Sequence, residues 1–272
     1  MCGGRWFPCE TFLIGWMGIG IPYMIVNNIA YMYLSDTFEM FPESPWDRHI
    51  PVIPWMIFPY AGLYVYYPAW LALCPNTDKG RMELLASFQM MITVTMSCVV
   101  IFLTMPAEID MRDEIDWDVM SAGEKGMFQF VHNGDHPWNA WPSLHVIHSY
   151  VLGRVMTRWC RSDYAYHVLS KPFLVLLWTE FVLLVISTMT TKQHYIFDAF
   201  SGFFVAIIVY RLWEPAFQYI DAKGTDKLAQ DLGWGITLKT SIEAVRLTDW
   251  PLERLPCADP DEYGLNDDSI HV

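Results

Sequence analysis

Charge is scarce in this sequence. Charged side chains make up 17% of its 272 residues, where a soluble domain of this length carries about 25%. Basic surplus is lacking too: the net charge is −13, which argues against a nucleic-acid partner. No Cys-x-x-Cys pair occurs among Cys2, Cys9, Cys74, Cys98, Cys160 and Cys257. Several of these lie in or beside apolar runs, where cysteine behaves as a small hydrophobe, so neither a disulfide framework nor a thiolate metal site is expected. The segment Met1–Glu10 has no basic region followed by a small-residue cleavage site, and the apolar run after it is too long for a signal peptide. It is expected to be a retained span.

What the chain does have is apolar length. Hydrophobic residues reach 53% and aromatics 16%, gathered into runs. About 20 mainly apolar residues cross a hydrocarbon core, and six stretches qualify: Thr11–Leu34, Pro51–Cys74, Leu84–Met105, Pro142–Cys160, Pro172–Thr190 and Tyr195–Trp213. The expectation is an all-α, polytopic membrane protein built as a six-helix bundle over residues 1–213, followed by an acidic cytoplasmic tail over 214–272. Acidity is local. Residues 106–141 hold eight acids against Arg112 and Lys125, and residues 214–272 hold twelve against five bases.

Lys and Arg near the span ends set the orientation. Arg5, Lys79, Arg81, Arg154, Arg158, Arg161, Lys171 and Arg211 fall on one side; Arg48, Arg112, Lys125 and Lys192 fall on the other. Both termini are therefore expected in the cytoplasm, with the 106–141 loop and the 190–194 turn facing the periplasm, exterior or lumen.

Ionisable residues at membrane depth are costly, so each is a functional hypothesis. They concentrate at two expected outer helix ends. Asp135-His-Pro-Trp-Asn-Ala-Trp-Pro-Ser-Leu-His145 leads into the fourth span. Pro142 suits a first helical position, and Ser143 with the following amides would form an N-terminus that attracts phosphate. His145 then lies in the first turn. The second segment runs from Ser187 through Lys192 and His194 to Asp198. His194 and Asp198 are four apart and share a face if both are helical. A carboxylate so placed can accept Nδ1–H and leave Nε2 as nucleophile. The plainer alternatives are an interfacial histidine beside a Pro-Ser turn and a structural His–Asp tie.

Together these segments resemble the second and third signature motifs of the type 2 phosphatidic-acid phosphatase superfamily, Pro-Ser-x-His and Ser-Arg-x5-His-x-x-x-Asp. Pro142-Ser143-Leu144-His145 matches the first, while Ser187, His194 and Asp198 fall at the spacing of the second. The resemblance covers roughly residues 50–213. It implies cofactor-free, metal-independent chemistry: His194 attacks phosphorus, Asp198 orients it, and His145 manages the proton. Ser143, Lys192 and Ser187 are the expected phosphate-binding residues.

Two departures bear on the substrate. The family's first motif, Lys-x6-Arg-Pro, is absent, and Thr188 stands where the third motif has Arg. A site poor in cations suits a singly charged phosphodiester better than a phosphomonoester. That pattern is similar to the lipid phosphotransferase branch of sphingomyelin synthase and the inositol phosphotransferase-like group, which also contains phosphatases. Membrane lipids are the expected partners, with a phospholipid donor and a lipid alcohol or water as acceptor. Left open are a phosphatidate or polyprenyl diphosphate phosphatase, a transporter or metal-binding protein drawing on His132, His136, His145 and His148, and a degenerate structural relative. Glu180 is expected to hydrogen-bond within the bundle, with staying protonated or lining a lipid access path as alternatives, and Asn27 and Asn28 are expected to make interhelical hydrogen bonds. Arg154 and Arg158 are expected to snorkel.

Overall fold

Apolar runs in lipid must satisfy their own backbone, which favours helices. The computed structural model describes residues 7–34 and 42–231. Nine α-helices lie among these residues: α1 (Phe7–Gly15), α2 (Ile21–Ile29), α3 (Ile57–Ala61), α4 (Leu63–Leu73), α5 (Asp78–Thr104), α6 (Ala122–Gly134), α7 (Leu144–Arg161), α8 (Ser170–Thr190) and α9 (Ile196–Asp231). π-Helical turns at Trp16–Gly20 and Ala30–Leu34 continue the first rod. No strand forms among the described residues, only an isolated bridge between Ala107 and Asn139.

Helix α7 is the axis of the bundle. It packs against α4, α5, α8 and α9, and Val151, Leu152, Val155, Met156 and Trp159 are completely buried. Leu84, Met90 and Met91 of α5, Trp70 of α4, Leu184 of α8 and Phe217 of α9 complete the main core around it. Outer faces are apolar instead: Val175, Leu176, Phe200 and Leu212 are each about two-thirds exposed or more. So much bare hydrocarbon on several helices suits a lipid solvent.

Among the described residues four helices are long and apolar enough to cross a membrane: Thr11–Met32, Asp78–Thr104, Ser170–Thr190 and Ile196–Ala222. The second and fourth expected spans are not among them, for different reasons. Residues 54–73 are divided into a 3-10 turn at Pro54–Met56, then α3, then α4, with Gly62 between the two helices. Helix α7 carries His145, His148, Ser149 and Thr157 buried against its neighbours, so its sequence is too polar to stand in lipid alone.

Two further expectations change. The sixth helix does not end near Trp213: α9 continues to Asp231, and Phe217 and Ile220 join the main core. The remainder of the expected tail, residues 232–272, lies outside the described residues. The acidic 106–141 segment is not simply a loop. Ser121 and Glu124 form a reciprocal capping box that starts α6, and Phe128 and Val131 of α6 pack on Ile57 and Tyr60. This cap covers the bundle end where α7 and α9 begin.

Candidate active site

The turn between α8 and α9 is built by backbone hydrogen bonds. Gln193 and His194 both donate their N–H to the Thr188 carbonyl, at 3.0 and 2.9 Å. Lys192 adopts a left-handed conformation, φ 56°, which reverses the chain. His194 therefore precedes α9 rather than sitting on it, so the expected shared helical face does not form. Asp198 occupies the third position of α9, and its Oδ2 accepts the Tyr195 N–H at 2.9 Å, one half of a capping box. The same Oδ2 lies 3.6 Å from His194 Nδ1. That contact is an ion-pair approach and too long for a hydrogen bond.

Helix α7 starts two residues later than the proline suggests. Ser143 is its N-cap and Leu144 its first residue, with Pro142 outside the helix. The Ser143 N–H donates to the Asp198 carbonyl at 3.2 Å, so the two helix starts are stitched directly together. Gly202, one turn further along α9, makes the approach possible: a Cβ there would sit 2.8 Å from the Ser143 carbonyl oxygen. The consequence is that the rings of His145 and His194 face one another edge to face, with centroids 5.9 Å apart.

The two N-termini are not equivalent. At α9, Asp47 Oδ1 accepts the Ile196 N–H at 2.7 Å and Asp198 takes Tyr195, so carboxylates of the chain itself occupy that end. At α7, Ser143 makes no side-chain cap, and the first-turn amides have no partner within the helix. Ser143 Oγ, His145 Nε2, His194 Nδ1 and Asp198 Oδ1 are all buried and without a hydrogen-bond partner among the described residues. Leaving one such group unpaired costs about 1–3 kcal/mol. Four at one junction mark a place shaped for something else.

Lys192 is elsewhere. Its side chain is buried, with Nζ 2.7 Å from Glu114 Oε2 and donating to the Asp47 carbonyl at 3.1 Å. Glu114 also pairs with Arg48. The ammonium is thus neutralised by the outer cap and not left to clamp a phosphate. Ser187 is fully buried and donates its hydroxyl to the Leu184 carbonyl of its own helix at 2.6 Å.

One neighbour, Tyr60, gave no signal in the sequence, and others take roles that the sequence did not specify. Tyr60 of α3 stacks on His145 at 4.3 Å, and its hydroxyl lies 3.3 Å from Nδ1. Only packing joins two residues so distant in the chain. Asn139, within the segment leading to α7, is buried with both side-chain polar atoms unpartnered. Asp135 accepts from Tyr23 at 2.7 Å and Asn27 at 3.1 Å. Burial pushes its carboxyl upward, against the Tyr23 hydroxyl, Arg112 and His194. Asn27 also grips the His136 backbone through both ends of its amide. It thus ties a helix to a loop, where an interhelical bond was expected.

The remaining histidines are committed separately. Thr95 donates its hydroxyl to the Met91 carbonyl, so it can only accept from His148 Nε2, 3.0 Å away, and Tyr67 then donates to Nδ1 at 2.6 Å. His132 meets the Gln193 amide at 3.0 Å, and His136 stacks on Tyr31. Among the described residues no three His, Cys, Asp or Glu side chains are grouped to hold a metal ion.

No curated protein matches the chain. A family model describing the PAP2 superfamily matches residues 39–212, a stretch that includes both histidine segments and the Tyr60 helix. That match covers well over half of the chain, which therefore belongs to the PAP2 superfamily and is a phosphatase-like membrane enzyme.

Proposed function

We propose that this enzyme moves a phosphate or phospho-head group from a phospholipid to a lipid alcohol through a phosphohistidine. One observation carries the reading: the rings of His145 and His194 lie edge to face with centroids 5.9 Å apart, and His145 sits in the first turn of α7, whose N-terminus has no side-chain cap. Phosphate oxygens suit free amides and the positive end of a helix, and Ser143 Oγ adds a further donor.

The chemistry follows from the two rings. His194 Nε2 attacks phosphorus, with the Asp198 carboxylate 3.6 Å from Nδ1 to steady the positive charge that develops on the ring, and the ester P–O bond breaks. Tyr60, donating to His145 Nδ1, leaves the proton on Nε2, which passes to the departing oxygen. In the second half the acceptor hydroxyl returns a proton to His145 Nε2 while its oxygen takes phosphorus and the P–N bond breaks. General acid–base help of this kind contributes about 10²–10⁴-fold.

Transfer is favoured over hydrolysis by the poverty of cations. The family's Lys and two Arg are missing from their motif positions, and Lys192 is spent on Glu114. A singly charged phosphodiester needs less neutralisation than a phosphomonoester. In this reading α3–α4 and α7 also cross the membrane, completing six spans. The histidine end faces outward, because Lys79, Arg154, Arg158 and Arg161 gather at the opposite end.

The test supplies purified protein with phosphatidate alone, then with a phosphodiester lipid and a lipid alcohol. Head-group transfer, abolished in His194→Ala, is the expected result. Free phosphate released from phosphatidate, with no transfer product, would establish the phosphatase reading instead.

A further inference from the structure

A second polar site lies at the other end of α7. A cavity of about 520 Å³ opens between α5, α7, α8 and α9, lined by Lys79, Arg154, Arg158, Arg161, Trp178 and Tyr210 and by two carboxylates, Asp221 and Glu214, the latter paired with Arg211. Arg158 is thirteen residues beyond His145 on one helix, so about 20 Å separates this cavity from the histidines. It is a different place with different chemistry.

The cations there fall into two classes. Lys79 and Arg158 are satisfied: both pair with Asp221, and Arg158 Nε also donates to the buried Glu83 at 2.8 Å. Trp159 Nε1 holds the other oxygen of Glu83. This network is a fixed wall. Arg154 and Arg161, by contrast, have no carboxylate partner among the described residues. The Arg154 guanidinium lies 4.4 Å from the Tyr210 ring centroid, with one N–H to the Tyr150 hydroxyl. It is therefore positioned by aromatic faces, leaving donors for an anion. Arg161 is exposed at the rim. Arg154, part-buried and held by aromatic rings with no carboxylate, is the cation best placed to take an anion, and the exposed Arg161 at the rim can reach the same one.

Lipid-facing surface adjoins the cavity. Val175 and Val182 of α8, three residues before and four after the cavity-lining Trp178 and so on its side of the helix, are 68% and 53% exposed. A head group in the cavity would thus have exposed hydrocarbon beside it for its chains. Guanidinium forks match phosphate oxygens, and basic pockets between membrane helices favour anionic head groups.

We propose that this cavity binds a phosphate group, carried either by an anionic phospholipid or by a soluble phosphate, between Arg154 and Arg161. It is a binding site separate from the histidine centre, and the proposal stands whether or not the transferase reading does.

The experiment reads binding, not turnover. Protein is placed in nanodiscs of phosphatidylcholine with or without phosphatidylglycerol, and retained lipid is counted by native mass spectrometry. A parallel arm follows the melting temperature in detergent with inorganic phosphate against chloride at equal ionic strength. In the lipid case phosphatidylglycerol is retained selectively, and the double variant Arg154→Gln/Arg161→Gln weakens retention about 30-fold, at roughly a fivefold loss per cation. Protection by inorganic phosphate alone, lost in the same variant, assigns the soluble source. Ser162→Glu adds an acid at the rim without removing a packed side chain and must weaken binding in whichever arm shows it. Equal binding by wild type and both variants overturns the proposal.

Discussion

The N–H of Ser143 donates to the carbonyl of Asp198 at 3.2 Å. This backbone bond joins the starts of two helices that carry one histidine each. It fixes the spacing of the two rings without using any side chain, so the reactive groups remain unengaged. Every prediction about the site depends on how rigidly that junction is kept.

Gly202→Ala tests the junction. Alanine gains about 0.8–1.0 kcal/mol of helix propensity over glycine, but its Cβ would press on the Ser143 carbonyl at 2.8 Å. Overpacking against backbone costs about 1–3 kcal/mol, so sterics win. The variant should melt below wild type and lose about a hundredfold in turnover, as expected for a displacement near 1 Å. Thermal unfolding and steady-state kinetics check this; an unchanged kcat would count against the geometry.

Tyr60→Phe keeps the stack on His145 and removes one hydroxyl. A neutral hydrogen bond is worth about 0.5–1.5 kcal/mol, so turnover should fall about 3- to 10-fold with little change in KM. The pH profile should also shift, because the His145 tautomer is no longer held. A purely structural Tyr60 would lower the melting temperature and leave the profile in place.

Lys192→Met separates a phosphate clamp from a cap strut. With the ammonium bound to Glu114 and the Asp47 carbonyl, its removal leaves a part-buried carboxylate with Arg48 alone. Breaking such a pair costs about 3 kcal/mol, the low end because Glu114 keeps a partner. The melting temperature should drop while the substrate KM stays within about twofold. A large rise in KM at unchanged stability would return Lys192 to the substrate.

The outer cap should weaken in mild acid. Burial, with Arg112 nearby, pushes His132 down to about 4 from an ordinary 6.5. Between those values the unfolded chain binds a proton that the folded chain refuses, so stability falls as pH drops from about 6.5 to 4. It is fully present above 6.5. Melting curves across this window should show the slope, and His132→Gln should flatten it.

The sequence by itself determined the helical class, the membrane character and the pair of histidine segments. Each is local: apolar runs must close their own hydrogen bonds in lipid, and Pro142-Ser143-Leu144-His145 and His194-x-x-x-Asp198 are contiguous. Tertiary structure decided the rest. Helix α7 was legible as an apolar run, but only packing shows that α4, α5, α8 and α9 surround it and bury its His145, His148, Ser149 and Thr157. The His194–Asp198 spacing suggested a shared helix face, yet the left-handed Lys192 turn places His194 ahead of α9 and brings it to the carboxylate by a different path. Lys192 looked like a lone cation near phosphate; Glu114, seventy-eight residues earlier, claims it. Tyr60 reaches His145 only through packing. Whether a buried polar group is committed or left open depends on what folds against it, and adjacency along the chain does not encode that.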